Sequence, residues 1–168
     1  YTVDQALRRA RAGVMPKPMK AIYPAAPSRR RRKRSRGWLL NLRGSTYPQA
    51  PFRGMRHVVR RQQPWQDEHW SIRQIRSYAQ LREEGRAMCH GVAGSHRLCA
   101  RGVSSIWSLR CAGPLGEQRN LTIEVLPRSR FVNDALGLRN RRANDQERAI
   151  LRLWTRCEGL RLADWISA

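Results

Sequence analysis

The chain has 168 residues, of which 34 are basic and 12 acidic, a formal net charge of +22 at neutral pH. Three of the basic residues are lysines (Lys17, Lys20, Lys33) and 31 are arginines. No run reaches the ~18 apolar residues of a membrane span, and no charged-apolar-small leader pattern opens the chain.

Self-repulsion at this charge disfavours compaction unless a polyanion neutralises it, so a phosphate backbone is the expected partner. Arginine rather than lysine favours bidentate phosphate contacts and stacking on bases. The competing account is that codon usage inflates arginine at neutral surface positions. The four cysteines show no short paired spacing, which suits the reduced thiols of a cytoplasmic protein. The chain opens on Tyr1, which leaves open whether residues precede it.

In chain order, Val3, Ala6, Leu7 and Ala10 predict a short helix over 1–12. Gly13, Pro16, Pro18, Pro24 and Pro27 then predict an extended linker. Arg29, Arg30, Arg31, Arg32, Lys33, Arg34 and Arg36 follow as an interaction tail whose like charges resist packing. The segment 38–42 is read as a strand or docking segment, and 44–54 as loop. These readings divide the chain into a basic, largely extended arm (1–54) and a compact domain (55–168).

Within the domain, His57 to Val59 reads as a strand and 71–75 as a weak alternation. Ser77-x-x-Gln80 predicts a helix from Tyr78 to Ala87 or Met88. Residues 96–101 predict a second short helix closed by Gly102. A β-rich run (103–110), the turn at 113–116 and the alternating Leu121, Ile123 and Val125 give two strands. A turn at 127–130 leads into a third strand over 131–136. Asn144-x-x-Glu147 caps a last helix that turns Ile150, Leu151 and Trp154 inward. The expected fold is α+β: two short helices, a three-stranded antiparallel meander and a closing helix.

Three cysteines and two histidines fall between Cys89 and Cys111. Cys89, His90, His96 and Cys99 could suit tetrahedral zinc, although adjacent Cys89 and His90 cannot easily both ligate. The bland alternative is two packed thiols and two hydrogen-bonded rings. A nucleophilic site would use Cys89 or Cys99 with His90 as base and Glu124 or Asn140 as the orienting group; a nuclease would use His90 with Glu124 and Cys99. A divalent cation would draw on Glu83, Glu84, Glu124 and Asp134, whose bland role is to offset arginines such as Arg82 and Arg86. No metal or cofactor belongs to the main reading. Arg139, Asn140, Arg141 and Arg142 precede a helix N-terminus and are the best candidate phosphate contact within the domain; the alternative is simple capping by Asn144 with solvated arginines. Trp107 and Trp154 read as core, whereas Trp65 and Trp70 are read either as stacking platforms for unpaired bases or as surface packing.

The stretch LREEGRAMCHGVAGSHRLCARGVSSIWSL from 81 to 109 resembles the PcfJ-like family of plasmid and mobile-element proteins. Asn120 to Val125 looks like that family's "TIE" strand, and 131–141 like its "G-x-x-N-R" element. Residues 150–160 are similar to its closing helix. Gly91 stands where the family usually has Cys, and Ser95 near a usual Tyr. The resemblance implies a genetic setting in mobile elements rather than a reaction.

The expected function is nucleic-acid binding, DNA or RNA, through the phosphate backbone. A nuclease is the first alternative, and a structural subunit of a nucleoprotein assembly, with other subunits as partners, is the second. No membrane partner is expected.

Overall fold

The structure is a computed structural model that describes residues 46–167. The expected N-terminal helix, linker, basic arm and 38–42 segment lie outside the described residues.

The described chain begins with 46–54, which has no regular helix or strand beyond a bridge between Thr46 and Ser77. Tyr47, Ala50 and Phe52 are nonetheless buried, so packing starts upstream of position 55. Tyr47 N–H donates to the Arg76 carbonyl (2.6 Å), and Ala50 N–H to Gln74 Oε1 (3.1 Å). Gly54 is required by close approach: a Cβ there would run into the Ile72 carbonyl oxygen.

Strands β1 (Met55–Val59) and β2 (Glu68–Ile75) follow, then helix α1 (Tyr78–Ala87) and the short helix α2 (His96–Ala100). Next come β3 (Ser105–Gly113), β4 (Gly116–Leu126), β5 (Phe131–Leu136), helix α3 (Asp145–Glu158), β6 (Arg161–Leu162) and α4 (Asp164–Ser167). One sheet takes all six strands in sequence order. Pairing is antiparallel from β1 to β5 and parallel between β5 and β6.

This corrects the expected three-stranded meander. β3, β4 and β5 are the middle of a six-stranded mixed sheet, extended by a hairpin on one side and a two-residue strand on the other. The hairpin is faint in the sequence because β2 carries arginine and serine between its apolar residues. β6 is invisible because two residues have no period; it is held by Arg161 N–H to Arg130 O (2.9 Å) and Ala163 N–H to Val132 O (3.1 Å). The helix at 145–158 is therefore not the closing element.

Local signals set the helix ends. Ser77 Oγ accepts from Gln80 N–H (3.2 Å), but Gln80 Oε1 accepts from Arg76 N–H rather than from Ser77. At α3 the box is complete: Asn144 Oδ1 accepts from Glu147 N–H (2.8 Å), and Glu147 Oε2 from Asn144 N–H (2.9 Å). Gly159 ends α3 in the left-handed region at φ 60°.

Alternation sorts the sheet into two faces. Trp70, Ile72, Trp107, Leu109, Leu121, Ile123, Val125 and Val132 meet Ile150, Leu151 and Trp154 of α3 in the main core. On the other face Ile75 and Ile106 pack with Tyr47, Tyr78, Leu81 and Cys99. That second cluster is smaller, so much of this face is left to polar side chains. Among the described residues no helix is long and apolar enough to cross a membrane.

Candidate functional site

The polar part of the second face forms where α1 ends beside β4. Gly85 sits close to the returning chain, with a Cβ position 3.1 Å from the His90 carbonyl oxygen. Cys89 turns the backbone in the left-handed region (φ 52°). That turn lays His90 on β4, where its Nε2 meets Thr122 Oγ1 at 2.8 Å. Thr122 Oγ1 in turn donates to Glu84 Oε1 at 3.0 Å.

Glu84 is 1% exposed and takes Arg119 Nε on its other oxygen at 3.1 Å. An ion-paired carboxylate only accepts, so the one Thr122 hydroxyl proton goes to Glu84. Thr122 must then accept from His90, which places a ring proton on Nε2. The expectation that Glu84 offsets Arg82 and Arg86 is corrected: it bridges Arg119 and Thr122, because α1 lies across β4.

His90 and Thr122 open into a cavity of about 240 Å³ lined also by Glu124, Asp134, Asn140 and Leu136. Glu124 Oε1 accepts from Ser104 Oγ (2.7 Å) and Oε2 from Asn133 Nδ2 (2.9 Å). Glu124 and Asp134 are direct cross-strand partners, a like-charge placement that costs about 0.2–1 kcal/mol in a sheet. Among the described residues neither has an ion-pair partner, whereas Glu84 and Glu147 are paired with arginine.

Burial is the main cause that raises the Asp134 carboxyl above its ordinary 3.8, and the Glu124 charge adds to it. The Ala135 N–H and His90 pull the other way. The folded chain therefore holds this proton more tightly than the unfolded chain, and ionisation costs stability as pH rises through the raised value. Asp134→Asn keeps an oxygen for Ala135 N–H and is expected to raise the melting temperature at neutral pH. The gain should shrink as pH falls toward 3.8. Thermal melts across that range check it; a variant less stable than the parent at neutral pH contradicts it.

The basic loop before α3 frames the same cavity. Arg139 N–H donates to the Met88 carbonyl at 2.9 Å, tying the loop to the turn that carries His90. Arg139 and Asn140 are both left-handed, at φ 54° and 61°. Arg141 turns away from the cavity. Its fork lies on buried Glu147 at 2.5 and 2.7 Å, across Gly137, where a Cβ would meet the guanidinium at 2.6 Å. Burial raises the Glu147 carboxyl, but Arg141, the Asn144 N–H and Asn120 together bring it below its ordinary value. Arg141 thus orders the loop, while Arg139 and Arg142 are exposed.

Of the residues expected in a catalytic set, the structure brings His90 and Glu124 into one cavity with Asn140. Cys99 is not among the lining residues; burial, with the Glu124 charge second, pushes its thiol up to about 11. The zinc set does not gather. Cys89 is exposed, and His96 Nδ1 meets the Ala93 carbonyl at 3.1 Å. Among the described residues no group of three His, Cys, Asp or Glu could hold a metal ion. Trp70 is 4% exposed in the main core and offers no platform to a base, whereas Trp65 is 69% exposed. Trp107 and Trp154 are core, as expected. Thr122 was missed, although its place between Leu121 and Ile123 puts it on the same face as Glu124.

A second feature, also missed, lies at the β1–β2 hairpin. An open groove of about 540 Å³ is lined by Arg53, Arg56, Arg73 and Arg76, over a floor that includes Ile72 and Ser71. Arg56 sits opposite Ser71 in the register, diagonal to Arg73 on the same face. All four arginines are exposed. Arg73 shares Glu117 at 3.1 Å; among the described residues the other three have no carboxylate partner. The sequence signal is two R-x-x-R spacings, 53/56 and 73/76, which only the hairpin brings together.

Comparison with known proteins finds no matching family model, no matching curated protein and no matching solved structure.

Proposed function

We propose that this chain binds nucleic acid along the phosphate backbone, with little reading of base identity. The observation that carries this is the convergence of Arg53, Arg56, Arg73 and Arg76 on one open groove. Residues 46–167 hold 21 arginines against 11 carboxylates, so the surplus does not depend on the arm. Guanidinium forks match phosphate oxygens in pairs, and a groove whose four arginines share one carboxylate, Glu117, is the place where a polyanion relieves self-repulsion. The 29–36 arm adds reach along the same backbone, and exposed Arg139 and Arg142 supply further contacts.

Fluorescence anisotropy of labelled single-stranded and duplex oligonucleotides, titrated with the full chain, tests this. With six to ten phosphates neutralised, affinity is expected to fall by ~10³–10⁵ between about 50 and 200 mM salt. It should vary little between unrelated sequences of equal length. Affinity unchanged by salt overturns the proposal.

A further inference from the structure

We propose that the cavity between His90, Glu124 and Asp134 is a binding site for a small organic cation, an amine or guanidinium on a short aliphatic stem. The site is distinct from the arginine groove and does not rest on the nucleic-acid reading.

Three observations converge. The cavity, at about 240 Å³, is sized for a head group and a few methylenes rather than for a polymer. Its carboxylates are Glu124 and Asp134, beside the His90 ring and the neutral polar side chains of Ser95, Thr122 and Asn140. Glu124 spends one acceptor position per oxygen on Ser104 and Asn133, and a carboxylate has about four. Asp134 stands directly across the sheet from it. The walls also include Ile106 and Leu136, which suit an aliphatic stem.

The third observation is the absence of arginine in an arginine-rich chain. Glu84 and Glu147, the carboxylates buried elsewhere, are each bound to a guanidinium. Here the adjacent Arg141 is drawn off to Glu147, and no arginine lines the cavity. Two facing carboxylates left without an arginine by their own chain are complementary to a cation supplied from outside. The same charges repel a phosphate, so the cavity and the groove select ligands of opposite sign.

The test is isothermal titration calorimetry of the full chain with agmatine, with butylammonium and with magnesium chloride, each alone. Saturable binding of agmatine or butylammonium is expected. It should weaken about tenfold or more in Glu124→Gln, since a charge-assisted hydrogen bond is removed. Leu136→Trp, which fills the cavity and leaves the carboxylates in place, should abolish it. Oligonucleotide affinity of both variants should match the parent, which separates failure here from failure of the groove reading. The proposal is overturned if neither organic cation binds, or if binding survives both variants. It is equally overturned if magnesium alone gives the heat that Glu124→Gln removes, because the cavity is then a metal site.

Discussion

Trp154→Ala is expected to cost about 3–5 kcal/mol, the range for deleting a buried aromatic side chain. Trp154 is 0% exposed and its ring lies 5.1 Å from that of Trp107, tilted by 55°. Truncation leaves a cavity at the centre of the main core and removes an aromatic pair worth about 0.5–1.5 kcal/mol beyond its area. It also orphans the Arg53 carbonyl, which accepts from Trp154 Nε1 at 2.9 Å. Whole-domain stabilities of about 5–15 kcal/mol put such a loss close to unfolding. Trp154→Phe keeps most of the ring volume and loses the donor, so about 1–2 kcal/mol is expected. Urea denaturation of the two variants checks both values. A loss under about 1 kcal/mol for Trp154→Ala contradicts the packing described.

The same hydrogen bond ties the core to the groove. Arg53 N–H donates to Glu158 Oε2 at 3.0 Å, so the backbone of this groove arginine is fastened at both ends to α3. The segment 46–54, which has no regular structure, is thereby fixed to the main core beside the groove.

Replacing Arg53, Arg56, Arg73 and Arg76 together by glutamine is expected to lower nucleic-acid affinity on the order of a hundredfold or more at low salt. The stems remain, so the groove keeps its shape while its charge goes. Folding should be unaffected, because exposed substitutions fall within about 0.5 kcal/mol each and the Arg73–Glu117 pair is solvent-exposed. Arg86, Arg101, Arg128 and Arg156 are exposed elsewhere on the surface, and exchanging these four for glutamine is the matched control. Equal losses from the two sets would mean that diffuse charge, not the groove, holds the ligand.

How much of this was legible depends on how local each signal is. The helix beginning at Tyr78, the strand at 131–136 and the capping box at Asn144 are written within a few residues each, and the structure places them there. β2 was not legible as a full strand. Trp70 and Ile72 belong to one core, Ile75 to another, and arginine and serine fill the rest, so no single period emerges. The site divides the same way. His90 and Glu124 could be named from residue type and a strand pattern. Their link through Thr122 to Glu84 required knowing that α1 crosses β4. Cys99 was drawn in by residue type alone and faces the smaller core instead. The four groove arginines were hidden because the hairpin, not the sequence, makes them neighbours.

If phosphates are neutralised in the groove, the salt dependence of binding counts them. Log affinity for a fixed duplex is to be plotted against log salt for the parent chain and for the four-arginine variant. Each phosphate that the variant leaves unneutralised should flatten the slope by about 0.9, so the variant should be shallower by about 3 to 4. Two parallel lines would contradict the account.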